Sequence, residues 1–255
     1  MIAYKNIQIH NGDRLARIVL NRPPLNVMNI AMMREIGWAI DELASQIDFL
    51  AFEGSGVKAF SAGADASDHK TERVAEMLQT FHAIFRKLWK SPVVTIAAVH
   101  GHCLGGGFEL ATFCDFLIAE ESARFGQPEI KLGCFPPVAT VTLPQIAGMR
   151  VATDLILSGR TISASEAQQL GLVSRVVPEG ALDGAVRTLV NDLRALSPRV
   201  LGMARRALWD AAGFDFDRRL KAVEDFYLGE LMKTEDAQEG IRAFLEKRDP
   251  AWHGR

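Results

Sequence analysis

The chain has 255 residues, and its 29 Lys and Arg stand against 31 Asp and Glu, a formal net charge of −2. That balance argues against a dedicated nucleic-acid or polybasic membrane binder. With 48% hydrophobic and 24% charged residues, the chain is not wholly disordered, and one large domain or one plus a small appendage is expected.

The N-terminal stretch, residues 2–9, alternates as a strand does and lacks the basic start, apolar core and cleavage site of a signal peptide. Asn11-Gly12-Asp13 has turn chemistry, and Leu15 to Leu20 is apolar, so a hairpin is predicted. Pro23-Pro24 ends it. Met33, Ile36, Gly37, Ile40 and Leu43 follow helical spacing from Ile30 onward. Phe49 to Phe52 is a short buried strand. Val74 to Leu88 reads as an amphipathic helix, and Val93 to Val99 as a buried strand. This last run, broken only by Thr95, is far short of the roughly 20 residues that span a bilayer.

Gly105-Gly106-Gly107 follows, then a helix over Phe108 to Phe113 and a strand over Phe116 to Ala119. Strands alternating with helices at this spacing predict an α/β core with crossover connections. Beyond Ser158 the chain reads as helical except at Leu172 to Val177. The composition shifts near residue 195, which divides a core, 1–195, from a helical C-terminal region, 196–255.

Cys103, Cys114 and Cys134 are too few and too scattered for a disulfide framework, and no His/Cys cluster has zinc spacing. Reduced thiols in the cytoplasm and no bound metal are expected. There is no G-x-S-x-G elbow, no dinucleotide G-x-G-x-x-G, and no Lys-Ser/Thr to complete a phosphate loop after the glycines.

Three successive glycines suit either a tight strand-to-helix turn or the close approach of a ligand to backbone N–H groups. Glu109 lies in the first helical turn beyond them, where the helix dipole favours a carboxylate. Glu129, in Gly126-Gln127-Pro128-Glu129, emerges after another strand. Alone it reads as a loop acid. Facing one pocket, the two could act as acid and base if their environments separate their pKa values. Ser61-Ala62-Gly63-Ala64-Asp65 has small side chains that leave N–H groups accessible. Donors from Ala62 and Gly106 would form an oxyanion hole. Asp65 and Asp68 read as turn or cap residues, and His69 as a candidate for the pocket wall.

Three segments carry a family resemblance: Ala59-Phe60-Ser61-Ala62-Gly63-Ala64-Asp65, Ala97 to Leu110 with its triple glycine and Glu109, and Phe125-Gly126-Gln127-Pro128-Glu129. With Leu157-Ser158-Gly159-Arg160, Gly171-Leu172-Val173 and Ala243 to Pro250 further on, the ordered set resembles the crotonase (enoyl-CoA hydratase/isomerase) family over nearly the whole chain. The resemblance implies an α/β spiral of ββα units with a helical C-terminal trimerisation region, assembled as a trimer or a dimer of trimers. It implies an acyl-CoA thioester substrate, with coenzyme A entering as part of that substrate and no other cofactor. In the family, backbone N–H groups at the positions matched to Ala62 and Gly106 hold the thioester oxygen. The matched Glu109 and Glu129 are the hydratase glutamates, one activating water and the other exchanging a proton at the α-carbon. Gly63, Ala64 and Asp65 would border the substrate, Arg22 would approach the CoA moiety, and Lys247 would serve a neighbouring subunit's CoA.

After Glu129 the chain departs from the usual glycine-rich turn and reads Gly133-Cys134-Phe135-Pro136-Pro137-Val138-Ala139. Proline stiffens this backbone and removes donors, and Phe135 with Pro136 would narrow the acyl pocket. The segment is similar to that of the cyclohexa-1,5-diene-1-carbonyl-CoA hydratases, which implies a cyclic dienoyl group. Straight-chain hydration, double-bond isomerisation and C–C cleavage are the other chemistries the family allows. A non-catalytic RNA- or protein-binding homologue is the alternative outside enzymology.

Overall fold

A computed structural model describes residues 4–254. The predicted hairpin forms from β1 (Ile7–Gly12) and β2 (Leu15–Leu20), paired antiparallel. Residues 2 and 3 of the expected strand lie outside the described residues. Gly12 belongs to the strand, and the turn sits at Asp13-Arg14, both at positive φ (49° and 59°), as a two-residue hairpin turn requires. Helix α1 (Ile30–Leu43) starts where two side chains supply caps. Asn29 Oδ1 accepts from the Met32 N–H, and Asp68 Oδ2 accepts from the Ile30 N–H at 3.0 Å.

Three units then repeat one plan: a strand in a large sheet, a short strand in a small one, and a helix returning. The first is β3 (Phe49–Gly54), β4 (Ala59–Ser61) and α2 (Val74–Lys90). The second is β5 (Val94–Val99), β6 (His102–Leu104) and α3 (Gly106–Phe113). The third is β7 (Phe116–Glu120), β8 (Arg124–Gly126) and, after a 3₁₀ turn at Pro128–Leu132, α4 (Pro137–Ile146). Then come α5 (Met149–Ser158), β9 (Thr161–Ser163), α6 (Ala164–Gln169), β10 (Arg175–Val177) and α7 (Leu182–Arg194). The chain closes with α8 (Pro198–Ala211), α9 (Phe216–Gly229) and α10 (Glu235–Glu246). Strand β9 was not expected from sequence, and β10 starts three residues later than the apolar run at Leu172.

The large sheet runs β1-β2-β3-β5-β7-β10, parallel beyond the hairpin, and the small sheet runs β4-β6-β8-β9. Alternation along the central strands explains their continuous apolar character. Leu50, Phe52, Ala97 and Val99 face the main core with α1, α2 and α3. Phe49, Ala51, Val94, Ile96 and Ala98 face the other side, under Val186 and Val190 of α7.

The boundary near residue 195 falls between α7 and α8. The helices beyond it do not form a core of their own: Phe216, Leu220, Tyr227 and Ile241 join the main core. Among the described residues, no helix is long and apolar enough to cross a membrane.

Candidate active site

The three parallel strands of the small sheet end side by side, and each is followed by a segment singled out above. After β4 comes Ala62-Gly63-Ala64, after β6 Gly105-Gly106, and after β8 the turn that carries Glu129. Carboxyl ends of parallel strands are where α/β proteins place their ligands.

The glycines serve close approach. A Cβ on Gly107 would stand 2.6 Å from the Ser61 carbonyl oxygen. One on Gly106 would meet Phe81 Cζ of α2 at 3.0 Å and the Ala64 nitrogen at 3.4 Å. One on Gly105, which sits at φ +53°, would stand 2.6 Å from Glu129 Oε1. The strand-to-helix turn is tight, and the groups that approach these glycines closely are the protein's own Ser61, Ala64, Phe81 and Glu129.

Ala62 does not supply the expected donor. Its N–H donates to the Leu25 carbonyl at 2.9 Å. Gly63, at φ +100°, redirects the chain, and it is the Ala64 nitrogen that lies against Gly106. The Gly106 N–H, at the first position of α3, has no partner within the helix. The two accessible amides are therefore those of Ala64 and Gly106. Asp65 caps the 3₁₀ turn Ala66–His69, and buried Asp68 ties that turn to α1 and to Arg73 at 2.8 Å. Both are cap residues, as expected. His69 is half-buried, with Nδ1 3.1 Å from the Asp65 carbonyl, and burial pulls its pKa down.

The two glutamates lie in contrasting surroundings. Glu109, in the first turn of α3, is 2% exposed. Its Oε1 accepts the Ala139 N–H at 2.8 Å, and the Val138 N–H also points to the carboxylate. Burial raises its pKa to about 7, and those two donors oppose the rise. Glu129 has less help: only its own backbone N–H opposes the rise, and its Oε2 is buried without a hydrogen-bond partner. Burial, and then the charge of Glu109, push it well above the ordinary carboxylate range. Of the pair, Glu109 is the carboxylate equipped to hold charge and Glu129 the one that keeps its proton.

The prolines after Glu129 remove fewer donors than expected. Pro137 occupies the first position of α4, where an N–H has no helical partner. The next two N–H groups, of Val138 and Ala139, are the ones aimed at Glu109. Val138 and Ala139 are the functional residues least legible in sequence, because a backbone donor leaves no side-chain signature. Pro136 precedes the helix, and Phe135 packs edge-on against Tyr227 of α9 at 5.1 Å and beside Phe226 at 6.0 Å.

The outlying pair is less concentrated. The Arg22 guanidinium is half-buried, bonds to the Val27 carbonyl and lies 3.9 Å from Asp65. Lys247 is exposed at the end of α10, in a left-handed conformation (φ 55°). The structure does not bring it to the glutamates.

A ββα spiral that sets two buried carboxyls beside the Ala64 and Gly106 amides is the arrangement of an enzyme suited to acid–base chemistry. Sequence comparison gives the family. The enoyl-CoA hydratase/isomerase family profile matches residues 10–255. The chain belongs to this family and is an enzyme of the enoyl-CoA hydratase type. It is 37% identical over 251 residues to a cyclohexa-1,5-dienecarbonyl-CoA hydratase of Thauera aromatica, covering 98% of this chain and 96% of that one. It is 40% identical over 259 residues to a probable enoyl-CoA hydratase of Mycobacterium bovis, covering 98% of each. The crystal structure of an enoyl-CoA hydratase/isomerase from Xanthobacter autotrophicus Py2 superposes with a TM-score of 0.86 at 30% identity, over 98% of this chain and all (100%) of that one.

Proposed function

We propose that this protein adds water to a conjugated enoyl- or dienoyl-CoA thioester, with cyclohexa-1,5-diene-1-carbonyl-CoA as its preferred acyl group. The observation that carries the reaction is the opposed state of the two glutamates beside the Ala64 and Gly106 amides. Glu109, its charge met by the amino end of α4, takes a proton from water as the water oxygen bonds to the β-carbon. The displaced π electrons collect on the thioester oxygen, where the N–H groups of Ala64 and Gly106 stabilise the enolate. Glu129 then gives its proton to the α-carbon, leaving a hydroxyacyl-CoA. Proton exchange with solvent resets both carboxyls. Every atom and electron is accounted for, so no metal or redox cofactor is part of the proposal.

The cyclic acyl group is supported by the Thauera aromatica relative and by the Phe135-Pro136 segment, whose aromatic and proline faces suit a planar ring. Gly63, Ala64 and Asp65 would border the thioester, Arg22 would meet the CoA phosphates, and Lys247 would reach the CoA of a neighbouring subunit. The exposed apolar side chains Val200, Met203 and Leu208 on α8 support self-association as a trimer or a dimer of trimers, which light scattering on the purified protein would measure. Three buried free cysteines fit a reducing compartment, and the cytoplasm is the proposed location.

The test is hydration in ¹⁸O-water, with crotonyl-CoA and the cyclic dienoyl-CoA offered separately. The expected result is label in the cyclic product at a kcat/KM well above that for crotonyl-CoA. Label with crotonyl-CoA alone would leave a straight-chain hydratase. Product without label would replace hydration by isomerisation or C–C cleavage.

A further inference from the structure

Glu129 has to present a proton to one carbon atom, yet one of its carboxyl oxygens makes no hydrogen bond. Its place is therefore set by the turn that carries it, Pro128–Leu132, and by whatever holds that turn. Cys134 is what closes it: the Cys134 N–H donates to the Glu129 carbonyl at 3.1 Å, and its Sγ to the Leu132 carbonyl at 3.5 Å. The segment is met by Tyr227 of α9 in the C-terminal region, which is 1% exposed and packs edge-on against Phe135, the residue after Cys134, at 5.1 Å.

Helix α9 is itself clamped one turn earlier. Glu224 accepts from Arg86 of α2 through both oxygens, at 2.8 and 2.9 Å, and lies 2.6 Å from Nδ1 of the fully buried His82. Tyr227 and Glu224 are three residues apart and share a helix face. Thus α2, which presses Phe81 against Gly106, also fixes the helix that reaches the Glu129 turn. Burial raises the pKa of both the Cys134 thiol, to about 11, and the Tyr227 phenol. Both groups are neutral at physiological pH and add no competing charge beside the carboxyls.

We propose that Tyr227, packed on the Cys134-Phe135 segment, bonds its phenol to the Cys134 thiol and is a positioning residue for Glu129, setting the efficiency of proton delivery to the substrate α-carbon. This rests on the hydratase reading above. It gives the C-terminal helices a part in the chemistry of their own chain, in addition to any part in assembly.

Three variants test it. Tyr227→Phe keeps the ring against Phe135 and removes only the hydroxyl. Cys134→Ala removes the acceptor, and Cys134→Ser restores a hydrogen-bonding group of similar size. The expected result is a kcat lower by roughly three- to tenfold in the first two, the worth of one hydrogen bond. KM should be unchanged, the solvent deuterium isotope effect on kcat larger, and the double variant no worse than either single one. Cys134→Ser should recover most of the rate. A slower Tyr227→Phe enzyme with an unchanged isotope effect, or losses that add in the double variant, would overturn the proposal.

A second readout needs no turnover. The infrared carboxyl band that disappears in Glu129→Gln should shift in Tyr227→Phe, and an unshifted band refutes the link whatever the activity. Failure of the wild type to hydrate either ester would instead sink the hydratase reading, and the band would still decide the role of Tyr227.

Discussion

The two sheets of this protein divide its labour. In the large sheet, β2, β3 and β5 are six-residue strands, and β5 is buried along its whole length between two apolar layers. In the small sheet every strand has three residues. Yet the small sheet delivers Ala64, Gly106 and Glu129 from the ends of β4, β6 and β8, while the large sheet contributes no carboxyl or amide to the site. Long buried strands supply apolar area and therefore stability. Short strands supply little, but they let three chain segments leave the sheet within contact of one another.

Substitutions in the two sheets should therefore fail in different ways. Glu109→Gln and Glu129→Gln should each lower turnover by about 10²–10⁴-fold, the usual share of a general acid or base. Binding of a non-reactive CoA thioester should persist, and steady-state rates with calorimetric titration would check both. Gly105→Ala strains a left-handed backbone position and drives a methyl group into Glu129 Oε1. A loss of roughly 10²–10³ in kcat is expected, comparable to loss of one oxyanion donor, with the melting temperature changed far less than the rate.

In the large sheet the signature reverses. Ile96 is fully buried in β5, and Ile96→Ala should cost about 2–5 kcal/mol of stability by denaturant unfolding. The kcat of the protein that remains folded should stay near wild type. A variant of either sheet that moved stability and turnover equally would break the division.

Titration sharpens it further. The proposed hydration needs Glu109 ionised and Glu129 protonated. Activity should fall on the acid side as pH drops through the Glu109 value of about 7. On the alkaline side it should fall as Glu129 loses its proton, well above the ordinary carboxylate range. The profile of kcat/KM against pH reads both in the free enzyme.

The smallest effect is on stability. Above about pH 4.3 the unfolded chain releases the Glu129 proton, while the folded chain retains it. The unfolded state then binds fewer protons, so the native state loses stability as pH rises toward the folded pKa. Glu129→Gln should accordingly melt higher than wild type at pH 7–8, with the difference vanishing near pH 4.

The legible and illegible parts follow the same division. Helix α1, helix α2 and strands β3 and β5 repeat their apolar positions over many residues, so periodicity alone locates them. Strands β6, β8 and β9 are too short for any period and owe their conformation to pairing with each other. Glu109 and Glu129 were readable as candidates by their place after strands. The donor beside Gly106 was not, because Ala62 and Ala64 are the same residue type two positions apart. Only the turn at Gly63 and the Leu25 carbonyl distinguish them.

Sequence by itself determined the α/β alternation, the apolar layers, the glycine run and the two carboxyls, since these are set by local periodicity and residue type. The tertiary structure decided which amides are free, which glutamate is met by the amino end of α4, and that Tyr227 reaches the Glu129 turn from about 100 residues away in the chain. Backbone donors and unpartnered oxygens have no side-chain letter. Their availability depends on what else folds against them.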